Sequence, residues 1–498
     1  MANVACIFSV EIYETLQRPL ISWGKAPFGL TLIATCLQRA GHKVRCWVVC
    51  PDSDLEALAR EVVQDFGCTL VAATSVTTQF TAILAACRPI RALSPQVTVL
   101  LGGAHPSLHP EDAINCEEID AICVGEGEDL ALSFAAALDH AEAPRNIHGL
   151  WVKDRSSGQI HRNSPAPFVQ NLDRFPIADY GLWERWVRPA DRNFRVVIGR
   201  GCPYGCTYCS NHALKKVTNG KYVRFRSPAH ILSEIELLLE RFPDLDHFYL
   251  EIETIGSSTA FAIELCDTLA AFNAKRDRPL EFRANLAITT RLVQAQDEMH
   301  RLLSAFQRAN LNLLNVGLES GSERIRKDIL NRPSYTNEAL IRFCQIARTY
   351  GVGVFLYTLV GLPTETARDA VETARVARAC HPVNLFESIF YPYRGTRLAE
   401  IAQEMHLFDP AAISTREERL RSYLRLPGFP RWRIFFEWVF ITWRVFHGRW
   451  PAMKMARPIA YKILWRAPKL LAAIRRATAA VKSGYASLVS HLTVPAKP

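Results

Sequence analysis

Apolar residues follow two alternating patterns over the first 140 positions. Short apolar runs fall near 4–9, 43–49, 69–75, 97–101 and 120–124, and helically spaced stretches lie near 28–40, 54–66, 79–93 and 128–138. Strands that are apolar throughout, separated by helices, predict a doubly wound parallel sheet. Such sheets bind ligands beyond the carboxyl ends of their strands. Three loops fall at those ends: Thr74-Ser75-Val76-Thr77-Thr78, Gly102-Gly103-Ala104-His105-Pro106 and Gly125-Glu126-Gly127-Glu128. Glycine lets a backbone approach a large ligand closely. Ser75, Gly102, Gly103, Gly125 and Glu126 are therefore candidate cofactor-binding residues. His105 and His109 read as loop histidines bonded to the backbone.

Residues 141–190 mix Pro, Ser, Asp and Arg with short apolar runs, which predicts a linker with a hairpin around Asp154–Gly158. Strand and helix patterns then alternate again, with strands near 194–198, 246–251, 281–288, 312–318, 352–360 and 385–391. Six such units predict a partial (β/α)6 barrel of the TIM type, with its chemistry at the carboxyl ends of the strands. After 400 the pattern is helical. The fold class expected is α/β: a doubly wound domain over 1–140, a linker over 141–190, a barrel core over 191–400 and a basic helical region over 401–498.

The chemistry concentrates in Gly201-Cys202-Pro203-Tyr204-Gly205-Cys206-Thr207-Tyr208-Cys209-Ser210, directly after the first barrel strand. Gly201, Pro203 and Gly205 make this a loop. Three thiolates at C-x3-C-x2-C spacing suit a four-iron cluster whose fourth iron is left open. A closed zinc site with His212 as fourth ligand is the alternative. An odd number of clustered cysteines argues against a disulfide.

Several segments resemble the radical S-adenosylmethionine (radical SAM) superfamily. They are the cysteine loop with its aromatic Tyr208, VGLESGSERIRKDIL around Glu319, GLPTET at 361–366, YPYRGT at 391–396 and DRFPIADY at 173–180. GHKV at 41–44, LGGAHPSLHP at 101–110 and VGEGE at 124–128 resemble the superfamily's branch with a cobalamin-binding domain, which includes methyltransferase-like and anaerobic cyclase-like members. The resemblance implies that Cys202, Cys206 and Cys209 hold a [4Fe-4S] cluster and that Tyr208 lies against the adenine of S-adenosylmethionine. Glu319 and Ser320 would hold that cofactor at a strand end. One electron from the cluster would cleave it to a 5′-deoxyadenosyl radical.

Two departures stand out. The D-x-H-x-x-G segment that supplies a histidine to cobalt is absent, so cobalamin would bind without one. Where relatives show D-[DE]-x-F, this chain has Glu251-Ile252-Glu253, two carboxylates on one face of a strand end. Glu253 and Glu251 are candidates for S-adenosylmethionine or substrate, and Arg283 for the barrel interior. The activity implied is cobalamin-dependent methylation of an unactivated carbon. The alternatives are oxidative cyclisation or rearrangement without methyl transfer, cobalamin-independent radical chemistry, or a non-catalytic cluster-binding protein.

Charge changes the picture only at one end. The chain carries a net charge of +10, and from Arg431 onward 13 Lys or Arg face one acidic residue, Glu437. The body is therefore close to neutral, and the basic character belongs to the tail. The aromatic, basic segment 430–450 is expected to cap the barrel mouth. The basic amphipathic helix over 462–482 is expected to make peripheral contact with an anionic membrane surface. No apolar stretch is long enough to span a bilayer. The amino terminus reads as a strand, so the expected location is the cytoplasm or the inner membrane surface. The expected partners are a small-molecule substrate and a reductant such as flavodoxin or ferredoxin, with no nucleic acid.

Overall fold

The structure is a computed structural model that describes residues 1–464 apart from 14, 141, 189–191 and 415–416. The last helix expected from the sequence lies mostly outside the described residues.

The first sheet holds β1 (Asn3–Ser9), β2 (Lys43–Val49), β3 (Leu70–Thr74), β4 (Thr98–Gly102) and β5 (Ala121–Cys123) in the order β2-β1-β3-β4-β5, all parallel. The order reverses between β1 and β3, as in doubly wound folds. Val4, Ala5, Cys6 and Ile7 of β1 are fully buried, which is why that strand reads as an unbroken apolar run.

The hairpin assigned to the linker belongs to this sheet. β6 (Leu150–Lys153) pairs antiparallel with β5, and β7 (Ile160–Arg162) pairs with β6. The first sheet thus runs past residue 140 to 162. The hairpin extends the sheet with strands of four and three residues, β7 forming the edge, and they are too short to read as the long apolar runs of the central strands. Residues 180–186 then dock on the first domain. The Trp183 indole donates to Thr31 Oγ1 at 2.8 Å, and the Trp186 indole to the Cys46 carbonyl at 2.8 Å.

The second sheet begins with β8 (Asn193–Val197). A two-residue ribbon follows, β9 (Gly199–Arg200) against β10 (Arg224–Phe225). β11 (His247–Glu251), β12 (Glu281–Asn285), β13 (Leu311–Glu319), β14 (Gly353–Val360) and β15 (Asn384–Ile389) complete it. All six long strands are parallel, in the order β15-β14-β13-β12-β11-β8. β8 and β15 do not pair, so the barrel stays open along one side. Alternate residues separate two environments. Val354, Leu356, Thr358 and Val360 of β14 are buried under the outer helices, whereas Tyr357 faces the interior.

Helix Arg431–Phe446 does not cap the barrel mouth. It packs along β15 and helix Ala367–Ala379 on the outer face. There Trp438 donates to the Glu387 carbonyl at 3.1 Å and Thr442 Oγ1 to the Glu387 carboxylate at 3.0 Å. Outward residues of the last strand need apolar cover, and this helix supplies it.

Candidate active site at the carboxyl ends of two sheets

The cysteine loop is fixed by its backbone. Gly201 sits at φ +90°, and a Cβ there would lie 2.2 Å from the Tyr222 carbonyl. Only glycine fits. Thr207 N–H donates to the Leu330 carbonyl at 3.0 Å, its hydroxyl to the Ile329 carbonyl at 2.6 Å, and its carbonyl accepts from Leu398 N–H at 2.9 Å. Asn331 Nδ2 holds the Gly205 carbonyl at 3.0 Å.

Cys202, Cys206 and Cys209 all line one cavity of about 280 Å³ at the carboxyl ends of β11, β12 and β13. Burial pushes the Cys202 thiol up to about 11 and the Cys206 thiol in the same direction. Buried neighbouring thiolates need a cationic group between them. Among the described residues no three His, Cys, Asp or Glu side chains converge on a single ion position. His212 places Nδ1 against the Cys209 carbonyl, and its Nε2 accepts from Arg397 N–H at 3.2 Å. Both ring nitrogens are thus engaged with backbone. Three thiols around one cavity, with His212 committed elsewhere, fit a cluster held by three protein ligands. Asn211 Nδ2 also lies 3.6 Å from Cys209 Sγ, and Asn211 Oδ1 accepts from Tyr222 Oη at 2.6 Å.

Opposite the cysteines stands Glu319. It occupies a register shift between β13 and β14, with φ +60°. A bulge with a left-handed non-glycine residue is costly, and it turns this carboxylate into the cavity. Tyr208 Oη donates to Glu319 Oε1 at 2.9 Å. Arg332 donates to Tyr208 Oη at 3.0 Å and to the Gly317 carbonyl at 2.5 Å, and lies 3.7 Å from Glu319 Oε1. Burial pushes the Glu319 carboxyl up against the pull of Arg332. The sequence brings Tyr208 and Glu319 forward, but gives no sign of Arg332, Asn211, Asn285 or Asn315, all of which line the same cavity. Arg332 lies in a loop, Asn211 opens the short helix Asn211–Leu214, and Asn285 and Asn315 are inward strand residues, none with motif spacing. Tyr249 Oη donates to Asn285 Oδ1 at 2.5 Å, and Asn285 Nδ2 to the Ile252 carbonyl at 2.9 Å.

Two candidates do not reach this cavity. Ser320 is fully buried behind Glu319, its Oγ accepting from Ser322 N–H at 3.2 Å and its carbonyl from Arg326 at 2.6 Å. Its side chain follows the bulge at Glu319 and turns away. Arg283 does point inward on β12, but near the opposite end of the barrel, where it donates to Asn193 Oδ1 at 3.1 Å.

A second cavity, about 460 Å³, lies over the carboxyl ends of β3, β4 and β5 and reaches across to the barrel. Thr74, Gly102, Gly103 and Gly125 line it on one side, Phe28, Leu30 and Ile33 bound it with apolar surface, and Arg195 and Arg200 close it from the second domain. A Cβ at Gly103, φ +101°, would meet the Ser75 carbonyl at 2.6 Å and Thr74 Oγ1 at 2.7 Å. This flat glycine floor with apolar walls fits a large planar group such as cobalamin. No histidine among the described residues lines the cavity. His105 is buried against Phe80, with ring centroids 4.0 Å apart, and burial lowers its pKa to about 4. His109 Nε2 is 3.2 Å from the Arg394 carbonyl.

Ser75 is buried beneath Gly103, outside the cavity, and Thr74 takes the lining position instead. Glu126 lines the cavity, but its carboxylate is committed to the second domain. It meets Arg200 at 2.8 Å and Arg224 at 2.9 Å, and accepts from Val169 N–H at 2.8 Å. Burial opposes its charge, yet these arginines hold the carboxyl below its ordinary range. Glu128 also pairs with Arg200. The two glutamates of this loop therefore tie it to the strand residue two positions before Cys202.

The cavities meet at Glu251 and Glu253, which line both. Glu251 pairs with Arg195 at 3.2 Å, and burial pushes both carboxyls up. A molecule at this junction touches both chambers.

Two α/β domains facing one another across joined cavities, one bearing a three-cysteine loop, define a two-domain cofactor enzyme. Residues 26–135 match the B12 binding domain, and residues 196–377 match the radical SAM superfamily. The chain thus carries a B12-binding domain followed by a radical SAM domain, and the cofactors these two domains imply are a [4Fe-4S] cluster, S-adenosylmethionine and cobalamin. It is 27% identical over 393 residues to the anaerobic magnesium-protoporphyrin IX monomethyl ester cyclase of Rubrivivax gelatinosus, covering 77% of this chain and 67% of that one. It is 26% identical over 398 residues to an uncharacterized methyltransferase of Pyrococcus horikoshii, covering 78% and 81%. Its fold is similar to that of the radical S-adenosylmethionine methyltransferase TsrM from Kitasatospora setae, solved with cobalamin and [4Fe-4S] cluster. The TM-score is 0.67 at 16% identity, over 96% of this chain and 100% of that one.

Proposed function

We propose that the protein is a cobalamin-dependent radical SAM methyltransferase that acts on an unactivated carbon of a small molecule. The observation that carries this reading is the junction at Glu251 and Glu253, where a cavity ringed by three thiols opens into one floored by glycines. When bound, the cluster with S-adenosylmethionine supplies a carbon-centred adenosyl radical, and cobalamin supplies a transferable methyl group.

The chain's own residues prepare those positions. Cys202, Cys206 and Cys209 hold the cluster. Tyr208 lies beside the adenine, and Glu319 accepts hydrogen bonds from the ammonium or ribose of S-adenosylmethionine, its orientation set by Tyr208 and Arg332. Glu253 is the second carboxylate for that ammonium. Gly102, Gly103, Gly125 and Thr74 let the corrin edge approach the sheet. Glu251 and Arg195 face the substrate at the junction, and Leu286 and Ala287 add apolar lining to the thiol-ringed chamber. The electron comes from a reductant such as flavodoxin or ferredoxin. The functional units are the first sheet with its hairpin, the barrel, and the helices after 400. No helix among the described residues is long and apolar enough to cross a membrane.

The test is anaerobic reconstitution with iron, sulfide and hydroxocobalamin. One cobalamin and one four-iron cluster per chain supports the reading, and a filled cluster without cobalamin overturns it. Cys206→Ala is expected to abolish S-adenosylmethionine cleavage. Similarity to a cyclase gives the second reading, ring closure without methyl transfer. A product heavier by one methyl separates the two.

A further inference from the structure

Helix Arg431–Phe446 has two faces. Ile434, Glu437, Trp438, Ile441 and Val445 are buried against the barrel. The Glu437 carboxylate is taken up by Arg433 at 2.7 Å and Arg444 at 3.0 Å. The opposite face carries Trp432, Phe436, Phe440 and Trp443, at steps of four, four and three residues, which align them in one stripe. Trp432 is 66% exposed, Phe436 38% and Trp443 45%. Phe436 and Phe440 are in ring contact at 4.6 Å, so the stripe is continuous. The next helix, Ala452–Leu464, adds exposed Met453, Tyr461 and Ile463.

An exposed aromatic stripe of this kind marks a surface that something apolar covers. Charge says what. From Arg431 to Leu464 there are seven Lys or Arg; Arg433 and Arg444 pair with the buried Glu437 and the buried Lys462 pairs with Glu387, which leaves Arg431, Arg449, Lys454 and Arg457 as excess positive charge. Residues 465–498 add six Lys or Arg and no acidic residue. Tryptophan suits the head-group layer of a bilayer, where its ring sits among acyl chains, and the exposed Lys454 and Arg457 of the next helix are the cations placed to meet lipid phosphate. The helix spans about 24 Å, enough to lie along the surface.

We propose that helix Arg431–Phe446 is an interfacial anchor that seats Trp432, Phe436 and Trp443 in the head-group region of an anionic bilayer. This moves the membrane contact from the tail end, where charge alone places it, to a helix packed rigidly on the catalytic barrel. The barrel is then held at the bilayer, and the substrate class that fits is a lipid-soluble molecule. The anchor itself stands apart from the reaction assigned above.

The test is co-sedimentation of the reconstituted full chain with vesicles of phosphatidylcholine, with and without phosphatidylglycerol. Binding is expected only with phosphatidylglycerol and is expected to weaken as salt rises. Trp432→Ser with Phe436→Ser and Trp443→Ser is expected to weaken it by roughly tenfold or more, because these rings supply the apolar contact. Cluster absorbance and S-adenosylmethionine cleavage, which these residues do not touch, report that the variant is folded. Trp432→Ser alone, at the exposed first turn, is the milder control and is expected to weaken binding measurably. A full chain that never sediments with anionic vesicles overturns the proposal. So does a triple variant that binds as well as the parent, which would leave binding to the charge of the tail. Sedimentation velocity that shows a dimer dispersed by the triple variant, without vesicle binding, overturns it in favour of a second copy of the chain.

Discussion

Arg332 connects the two halves of the candidate S-adenosylmethionine site. It reaches Tyr208, the Gly317 carbonyl and Glu319 from one guanidinium, a fork that lysine cannot reproduce. Arg332→Lys is expected to slow S-adenosylmethionine cleavage by about 10–100-fold while leaving iron content unchanged, which iron analysis and 5′-deoxyadenosine yield would check. Glu365 makes a different prediction. Its buried carboxylate accepts from Leu362 N–H at 3.0 Å and from Gly361 N–H, yet burial raises its pKa from 4.5 to about 8. Between those values the folded chain keeps a proton that the unfolded chain releases. Stability is therefore expected to fall as pH rises from about 4.5 to about 8. Glu365→Gln should flatten that slope in urea unfolding measured across the window. The cysteines, Tyr208 and Glu319 are legible in the sequence because they sit in recognisable strings. Asn285 and Asn315 are not, because an inward strand residue and an outward one look alike until the barrel curves, and Arg332 stands in a loop without motif spacing.

The turn after β4 shows how an element makes a binding surface. Gly103 passes within contact of the Ser75 carbonyl and Thr74, in a conformation that disfavours any side chain. Gly103→Ala is expected to destabilise the first domain by about 1–3 kcal/mol in thermal unfolding and to weaken cobalamin retention. Every long strand of both sheets lies close to where periodicity places it, since buried parallel strands must be apolar. Two assignments differ. Strands β6 and β7 are only four and three residues long and form an antiparallel hairpin, and a hairpin pattern does not say which sheet it joins. Helix Arg431–Phe446 reveals from its pattern that one face is buried, but an amphipathic pattern does not name the surface it is buried against. The barrel flank, with Glu387 exposed to helix Arg431–Phe446, meets that need better than the mouth.

At the size of the whole chain, the glutamates of the fifth-strand loop act as a clamp. Glu126 binds Arg200 and Arg224, and Glu128 binds Arg200, so the loop floor of one cavity is tied to the cysteine loop of the other. Removing Glu126 leaves the buried Arg224 without its carboxylate, while Arg200 keeps Glu128. Glu126→Ala is expected to cost about 3 kcal/mol and to raise hydrogen exchange along residues 124–128 and 199–201 together. The sequence marks VGEGE as a ligand loop, but a carboxylate that pairs across domains reads the same as one that meets a ligand. The unpaired sides of β8 and β15 carry a further consequence. Phe386 lies on the inner face of β15, its ring 5.7 Å from that of Tyr357, and yet stands 45% exposed. A closed ring would make the 280 Å³ chamber a limit on the size of the molecule that reacts. With β8 and β15 unpaired, these two strands can move apart without breaking a ladder hydrogen bond, so that limit is not a rigid one.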